Sequence, residues 1–142
     1  MSSPFLDRPP TEWLCANEFA FAIPDGFPIS PGHTLVVPKR EVPTWFDATR
    51  AEQHAIWELV DEVKRRLGAE RRPDGYNLGI NVGRAAGQTV FHLHVHVIPR
   101  YVGDVEDPRG GVRHVIPGKG NYLVGSKPVI AHACEEECCL PK

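Results

Sequence analysis

Residues 91–100 of the chain read Phe-His-Leu-His-Val-His-Val-Ile-Pro-Arg. Three histidines, His92, His94 and His96, alternate there with leucine and valine. Neighbouring residues of a β-strand point to opposite faces of its sheet. The segment therefore predicts a strand whose aliphatic side chains enter a core, while three imidazoles stand about 6.6 Å apart on the other face. Three titratable rings in one row predict a functional site.

Length and charge limit the class of protein. A chain of 142 residues with net charge −2 suits a single domain without the basic surface that nucleic acids or anionic membranes require. Its apolar stretches are shorter than the roughly 18 residues of a membrane span, and its N-terminus does not resemble a signal peptide. We expect a cytoplasmic protein with neither a nucleic acid nor a membrane as partner.

We expect one domain over 1–125 and a flexible C-terminal tail over 126–142. Of the four cysteines, Cys134, Cys138 and Cys139 fall in this acidic tail. They lack the paired Cys-x-x-Cys spacing of structural zinc sites, so the sequence favours reduced thiols and no metal.

The rest of the chain predicts an α+β fold. Apolar, β-branched runs at 17–23, 33–37 and 76–82 end in turn residues and indicate further strands. Thr49 and Glu52 form a capping box, after which apolar residues repeat at helical spacing for about five turns. The prediction is an antiparallel sheet of about five strands with one long helix.

Three interpretations of the histidine row are open. As metal ligands, the Cα atoms of His92 and His96 would lie about 13 Å apart, too far for both rings to reach one ion unless the strand bends. As core residues, each buried ring would need a hydrogen-bonding partner. Catalysis or anion binding is therefore the favoured interpretation, and no metal is predicted there.

The row also resembles a family signature. Residues 92–98 are similar to the His-φ-His-φ-His-φ-φ motif of the histidine triad (HIT) superfamily of nucleotide hydrolases and transferases. Residues 87–90, Gly-Gln-Thr-Val, and 31–39, Pro-Gly-His-Thr-Leu-Val-Val-Pro-Lys, resemble two further family segments. The spacing from Asp25 to the histidine of that second segment also matches, and 103–113 resembles the continuation in a group of bacterial members.

This resemblance implies a HIT-like fold whose sheets join across a homodimer, with one nucleotide site per subunit. It also implies that His94 is the nucleophile, with Nδ1–H fixed on a backbone carbonyl and Nε2 facing the α-phosphorus. An imidazole with an ordinary pKa of about 6.5 is mostly neutral at pH 7, so it has a lone pair available for this attack.

The resemblance assigns supporting roles to other residues. His96 is expected to contact the α-phosphate or the bridging oxygen, and Gln88 and Thr89 to donate to the neighbouring phosphate. His92 and His33 are expected to orient the site, although a lone histidine that opens a strand often only satisfies backbone groups.

Four further residues are predicted to bind the nucleotide. Asp25 is expected to take the ribose hydroxyls, although Pro-Asp-Gly is also a turn signal. Ile23 is expected to line a base pocket, with core packing as the alternative. Asn81 is expected near the phosphates, and Gly87 is expected to border a flexible loop over the site.

The resulting prediction is a hydrolase that releases AMP through a covalent nucleotidyl-histidine. Gly-Gln-Thr-Val and the Pro-Gly-His strand resemble the fragile histidine triad branch, which favours diadenosine polyphosphates as substrates. The alternatives are an adenosine phosphoramidase of the nucleotide-binding branch and a non-catalytic nucleotide sensor. No cofactor is expected, and any Mg²⁺ should bind through the substrate's phosphates.

Overall fold

We describe residues 2–123 of the protein from a computed structural model. The described residues fall into two compact units, which are divided between Asp104 and Val105. The predicted tail over 126–142, with its three cysteines, lies outside the described residues. The domain boundary at residue 125 stays a prediction.

The first unit contains a five-stranded sheet in the order β1-β2-β3-β5-β4. All its neighbouring strands are antiparallel. The strands are β1 (Cys15–Ala16), β2 (Ala20–Pro24), β3 (Thr34–Pro38), β4 (Gly75–Gly79) and β5 (Val95–Arg100). The predicted α+β class and strand number are confirmed.

One long helix, α1 (Arg50–Arg71), packs on the sheet. Thr49 and Glu52 form the predicted capping box, in which each side chain accepts from the backbone of the other. Arg72 ends the helix in the left-handed conformation, with φ of 50°. The helix has 22 residues, somewhat more than the five turns predicted, because it continues through Gly68.

The two faces of the sheet carry different apolar clusters. The face under α1 buries the aliphatic residues of the histidine segment, Leu93, Val95 and Val97, with the apolar stripe of the helix. The opposite face carries a smaller cluster, which contains Phe21, Ile23, Leu35 and Val37. Because Leu35 pairs with His96 in register, His96 lies on the face opposite the helix.

The histidine segment is a strand only in its second half. β5 begins at Val95, so the predicted strand is wrong for 91–94. The backbone N–H of Leu93 donates to the carbonyl of Val42 at 2.7 Å, beyond the end of β3, instead of joining the sheet. The alternation nevertheless persists, because Leu93 is buried in the same core as Val95 and Val97.

Four short 3-10 helices complete the described structure, namely Pro10–Glu12, Trp45–Asp47, Arg84–Ala86 and Gly111–Val115. The last of them lies in the second unit. There the close approach of the chain requires glycine at Gly110, because a Cβ would come within 2.3 Å of the carbonyl oxygen of Gly120. Among residues 2–123, no helix has the length and hydropathy to cross a membrane.

Candidate active site

His94 has one ring nitrogen fixed by the backbone. Its Nδ1 lies 2.7 Å from the carbonyl oxygen of His92. Because a carbonyl oxygen only accepts hydrogen bonds, Nδ1 carries the proton and Nε2 of the neutral ring keeps its lone pair. The predicted contact with a backbone carbonyl is confirmed. The geometry leaves Nε2 as the nucleophilic atom of this ring.

His92 is fully buried, and both its ring nitrogens have partners. Nε2 donates to the carbonyl of Pro38 at 2.8 Å, so Nδ1 accepts from the hydroxyl of Ser3 at 2.6 Å. Burial disfavours the charged ring and lowers the pKa of His92. The ring thereby connects the N-terminal segment to the end of β3, immediately beside the backbone that fixes His94.

His96 is oriented by hydrogen bonds that begin in the loop before β3. The backbone N–H of Ile29 donates to Nδ1 of His33 at 3.2 Å. The proton of the neutral His33 ring is therefore on Nε2, which lies 2.9 Å from Nδ1 of His96 and donates to it. His96 in turn carries its own proton on Nε2. The sequence does not reveal this order of donors.

Burial keeps these two rings neutral at physiological pH. Desolvation lowers the pKa of His33, with the carboxylate of Asp25 opposing the shift. Desolvation, reinforced by the neighbouring rings of His94 and His33, lowers the pKa of His96 to about 4. Near pH 7 the site therefore offers hydrogen-bond donors of fixed direction on neutral rings.

Asp25 serves a turn and the histidine cluster at once. One carboxylate oxygen, Oδ1, accepts from the backbone N–H of Phe27 at 2.8 Å. The other, Oδ2, lies 3.3 Å from Nε2 of His33, and the side chain is 14% exposed. The two interpretations of Asp25 from the sequence, turn residue and site residue, are thus compatible.

Within residues 2–123, one group of side chains has the ligand types and spacing for a metal ion. It consists of Asp25, His33 and His96, whose ligating atoms lie within 4.8 Å of one another. Metal-bound histidines normally donate their second ring N–H to an acceptor, but Nδ1 of His33 faces the N–H of Ile29. The arrangement therefore fits a hydrogen-bonded network better than a metal site.

Gln88 holds a loop together. Its Oε1 accepts from the N–H of Gly83 at 2.9 Å, and its Nε2 donates to the carbonyls of Pro43 at 2.6 Å and Val90 at 3.1 Å. The side chain is buried. The sequence predicts an amide donor to phosphate, whereas the structure shows this amide bonded to the backbone because it closes the loop. We therefore assign it a structural role.

The remaining predicted phosphate-binding residues lie near this loop in the chain. Gly87 ends the 3-10 helix Arg84–Ala86 with φ of 88°, a conformation that favours glycine. Thr89 is exposed, and Asn81 is half-buried in the segment that follows β4. Exposure leaves the hydroxyl and backbone of Thr89 accessible to a ligand.

The N-terminal segment contributes two residues that the sequence does not single out, Phe5 and the Ser3 that donates to His92. The ring of Phe5 contacts His94 edge-on at 5.0 Å between centroids and His92 at 5.9 Å. Phe5 also packs on the apolar cluster that contains Ile23. Ile23 is 1% exposed, which agrees with the core-packing alternative for this residue. No local pattern in a Pro- and Ser-rich segment indicates such contacts.

A sequence profile of the HIT domain matches residues 8–103. The chain belongs to the HIT domain family. Its Gly-Gln-Thr-Val segment, histidine strand and Pro-Gly-His strand all fall within the matched HIT domain, as the resemblance predicts.

Similar proteins agree with this family. A HIT-like protein of Mycoplasma pneumoniae is 41% identical over 85 residues, which cover 60% of this chain and 59% of that protein. A bis(5'-adenosyl)-triphosphatase of Dictyostelium discoideum is 38% identical over 73% of this chain and 69% of its own length. A HIT family member from Bacillus subtilis superposes with a TM-score of 0.66 at 31% identity, covering 73% of this chain and 77% of its own. The chain thus matches less than two thirds of the Mycoplasma relative.

We predict that Gln88→Ala will lower the free energy of unfolding by about 2 to 4 kcal/mol, because a buried N–H and two carbonyls lose their partners. Urea denaturation measures this loss. The adjacent Thr89→Ala, at an exposed position, is the control and should change stability by less than about 0.5 kcal/mol. An unchanged stability of Gln88→Ala combined with slower turnover would instead support the phosphate contact.

Proposed function

We propose that the protein is a nucleotide hydrolase that cleaves at the α-phosphate through a covalent nucleotidyl-histidine. The observation that carries this proposal is the hydrogen bond from Nδ1 of His94 to the carbonyl of His92 at 2.7 Å. It fixes one tautomer and leaves a lone pair on Nε2, which nucleophilic catalysis at phosphorus requires. Membership of the HIT domain family supports the same reaction.

In the first step, Nε2 of His94 forms a bond to the α-phosphorus while the bond to the leaving oxygen breaks. That oxygen keeps the electron pair of the broken bond. The modified ring retains its Nδ1 proton and becomes cationic, and the carbonyl of His92 stabilises this charge at 2.7 Å. Water then attacks phosphorus and loses a proton to the solvent, while the P–N bond breaks and returns its electron pair to Nε2, so AMP leaves and the ring is neutral again. The reaction thus proceeds through two easier displacements at phosphorus instead of a single difficult one.

His96 assists departure of the leaving group in this proposal. Nδ1 of His96 accepts from His33, so the proton of the ring is on Nε2 and is available to a substrate. We propose that this Nε2–H donates to the bridging oxygen or to the α-phosphate. Charge that develops on these oxygens needs such donors. Thr89, Asn81 and the backbone at Gly87 are proposed to serve the neighbouring phosphate.

The nucleoside would occupy the face of the sheet opposite α1. Asp25 is proposed to accept from the ribose hydroxyls through Oδ2, which is the oxygen not used by Phe27. The half-buried ring of Phe5, which packs on the cluster that contains Ile23, offers an apolar surface beside the His94 ring for an adenine base.

Diadenosine polyphosphates are the substrates we propose first. The support is the 38% identity to a bis(5'-adenosyl)-triphosphatase over 73% of this chain. Adenosine phosphoramidates and binding without turnover are the alternatives. We propose that no resident cofactor is needed, and that Mg²⁺ acts through the substrate's phosphates.

We also propose a homodimer in which two sheets join. Among the described strands, β4 forms an edge that pairs with β5 alone, and its Leu78 is 41% exposed. An edge of this kind is available for pairing with a second copy. Light scattering should give the mass of two chains, and the mass of one chain would contradict the proposal.

The proposed activity is tested by incubating the purified protein with diadenosine tri- and tetraphosphate and separating the products by chromatography. AMP release with multiple turnovers is the expected result. Nucleotide binding without release of AMP from either substrate would favour the sensor alternative.

A further inference from the structure

The backbone that orients His94 is not held by the sheet. β5 begins at Val95, so the carbonyl of His92, which accepts from Nδ1 of His94 at 2.7 Å, lies outside the strand ladder. Other contacts therefore have to keep this carbonyl in place. One of them is the hydrogen bond from the backbone N–H of Leu93 to the carbonyl of Val42 at 2.7 Å. The others are made by the side chain of His92.

The buried ring of His92 is anchored on both sides by residues distant in the chain. Nε2–H donates to the carbonyl of Pro38, the last residue of β3, and Nδ1 accepts from the hydroxyl of Ser3 at 2.6 Å. Because both ring nitrogens have partners, the ring is held in one tautomer and one orientation. The ring and the carbonyl that orients His94 belong to the same residue, so the bonds that hold the ring also limit the movement of the carbonyl.

Ser3 is itself held from several directions. Its hydroxyl donates to His92 and accepts from the backbone N–H of Phe5 at 3.3 Å. Its own N–H donates to a carboxylate oxygen of Glu41 at 3.3 Å, and its carbonyl accepts from the N–H of Leu6 at 3.0 Å. The residue is 4% exposed, although it lies in a segment without strand or helix. The position of Ser3 is therefore fixed by its own contacts and not by regular secondary structure.

The same serine places an aromatic ring against His94. Phe5 follows Ser3 by two residues, and its N–H is bonded to the serine hydroxyl. The ring of Phe5 lies 5.0 Å from the ring of His94 and 5.9 Å from that of His92, measured between centroids. The His94 ring is thus confined by a hydrogen bond to the His92 carbonyl and by contact with Phe5. Both constraints depend on the hydroxyl of Ser3.

We propose that Ser3 is a positioning residue for the nucleophile. This inference rests on the proposed function. Ser3 fixes His92 and Phe5, and these two residues keep Nδ1–H of the His94 ring on its carbonyl and Nε2 aligned with the α-phosphorus. The first step needs this alignment, because Nε2 has to approach phosphorus in a defined direction. A displacement of about 1 Å in such a group lowers the rate by about 100-fold.

The first test removes the hydroxyl. Ser3→Ala should lower kcat on diadenosine triphosphate about 10- to 100-fold. KM should change by a smaller factor, because Asp25 and His33 are oriented by the loop before β3 and not by Ser3. A loss of kcat of less than about 3-fold, or a change confined to KM, would overturn the inference.

The matched control is the neighbouring serine. Ser2 is exposed, and its hydroxyl donates to the carboxylate of Asp7 at 3.3 Å. Ser2→Ala should therefore leave kcat within about 2-fold of the wild-type value. Equal losses of kcat in Ser2→Ala and Ser3→Ala would show that the effect does not come from the bond to His92, and would overturn the inference.

A second measurement needs no turnover. Exchange of the Nδ1 proton of His94 with solvent, followed by nuclear magnetic resonance, reports on its hydrogen bond to the carbonyl of His92. In Ser3→Ala this exchange should be at least about 10-fold faster than in the wild type and in Ser2→Ala. An unchanged exchange rate would overturn the inference. Faster exchange in a protein that turns over no nucleotide would overturn the hydrolase proposal and leave the anchoring role of Ser3 intact.

If Ser3→Ala does not fold, the wild-type protein still tests the anchor. The backbone N–H groups of Phe5 and Leu6 both donate to Ser3. Their exchange with solvent should therefore be at least about 100-fold slower than in an unfolded chain. Exchange at the rate of an unfolded chain would show that Ser3 is not held in solution, and would overturn the inference.

Discussion

Replacing His94 by alanine is expected to reduce kcat on diadenosine triphosphate by at least about 10⁴-fold. The variant lacks the Nε2 lone pair that forms the bond to phosphorus, and no other described ring has the same backbone-fixed tautomer. Affinity for AMP should remain within about 10-fold, because the proposed contacts to ribose and base come from other residues. Steady-state turnover and calorimetric binding measure the two quantities.

The matched control is His54→Ala. His54 lies on the outer surface of α1 with its side chain 78% exposed and its Nε2 3.2 Å from a carboxylate oxygen of Glu58. Its removal should leave kcat and stability near the wild-type values. A His94→Ala enzyme that keeps more than about a tenth of the wild-type kcat would rule out nucleophilic catalysis by this ring.

The second large effect is expected on stability in mild acid. In the unfolded chain His96 titrates near the ordinary imidazole pKa of about 6.5, whereas burial lowers its pKa in the folded protein to about 4. Between these two pKa values the unfolded state binds more protons than the folded state. The contribution of His96 to the free energy of unfolding is therefore fully present above about pH 6.5 and is lost as the pH falls toward 4. The neutral His96 ring accounts for a total decrease of about 3 kcal/mol in the free energy of unfolding, of which about 2 kcal/mol should appear by pH 5.

The pKa values of His33 and His92 are lowered in the same direction, so their losses add to that of His96. Urea denaturation at about pH 7.5 and about pH 5 measures the effect above the range in which most carboxylates titrate. His96→Asn should show a smaller difference between the two conditions, whereas the exposed His54→Asn should behave as the wild type. Equal stability of the wild type under both conditions would show that the buried rings accept protons readily.

The sequence predicts the long helix well because its signals are local. Thr49 and Glu52 lie within one helical turn of each other, and the apolar stripe that follows repeats at helical spacing. Local backbone geometry and burial are then sufficient to fix the element. The presence of a β-sheet is equally predictable, because runs of alternating or β-branched residues between turn residues favour the extended backbone of a strand.

Other features depend on contacts between residues distant in the chain. The backbone hydrogen bond from Leu93 to Val42 keeps the start of the histidine segment out of the sheet. The alternation of polar and apolar residues in the sequence does not reveal this contact. Gln88 has the chemistry of a phosphate donor, but Gly83, Pro43 and Val90 occupy its amide once the loop is closed. A side chain with several possible partners cannot be assigned before the fold selects among them.

The sequence by itself determined the α+β class, the family and the histidine row, because side-chain spacing decides which face of a strand is buried and the motif is contiguous. Only the tertiary structure decided where the protons lie. The carbonyls beside His94 and His92, the hydroxyl of Ser3 and the N–H of Ile29 fix the tautomers of four rings. The imidazole ring has two nearly equivalent nitrogens, and its partners in the folded chain determine which one donates and which one can attack.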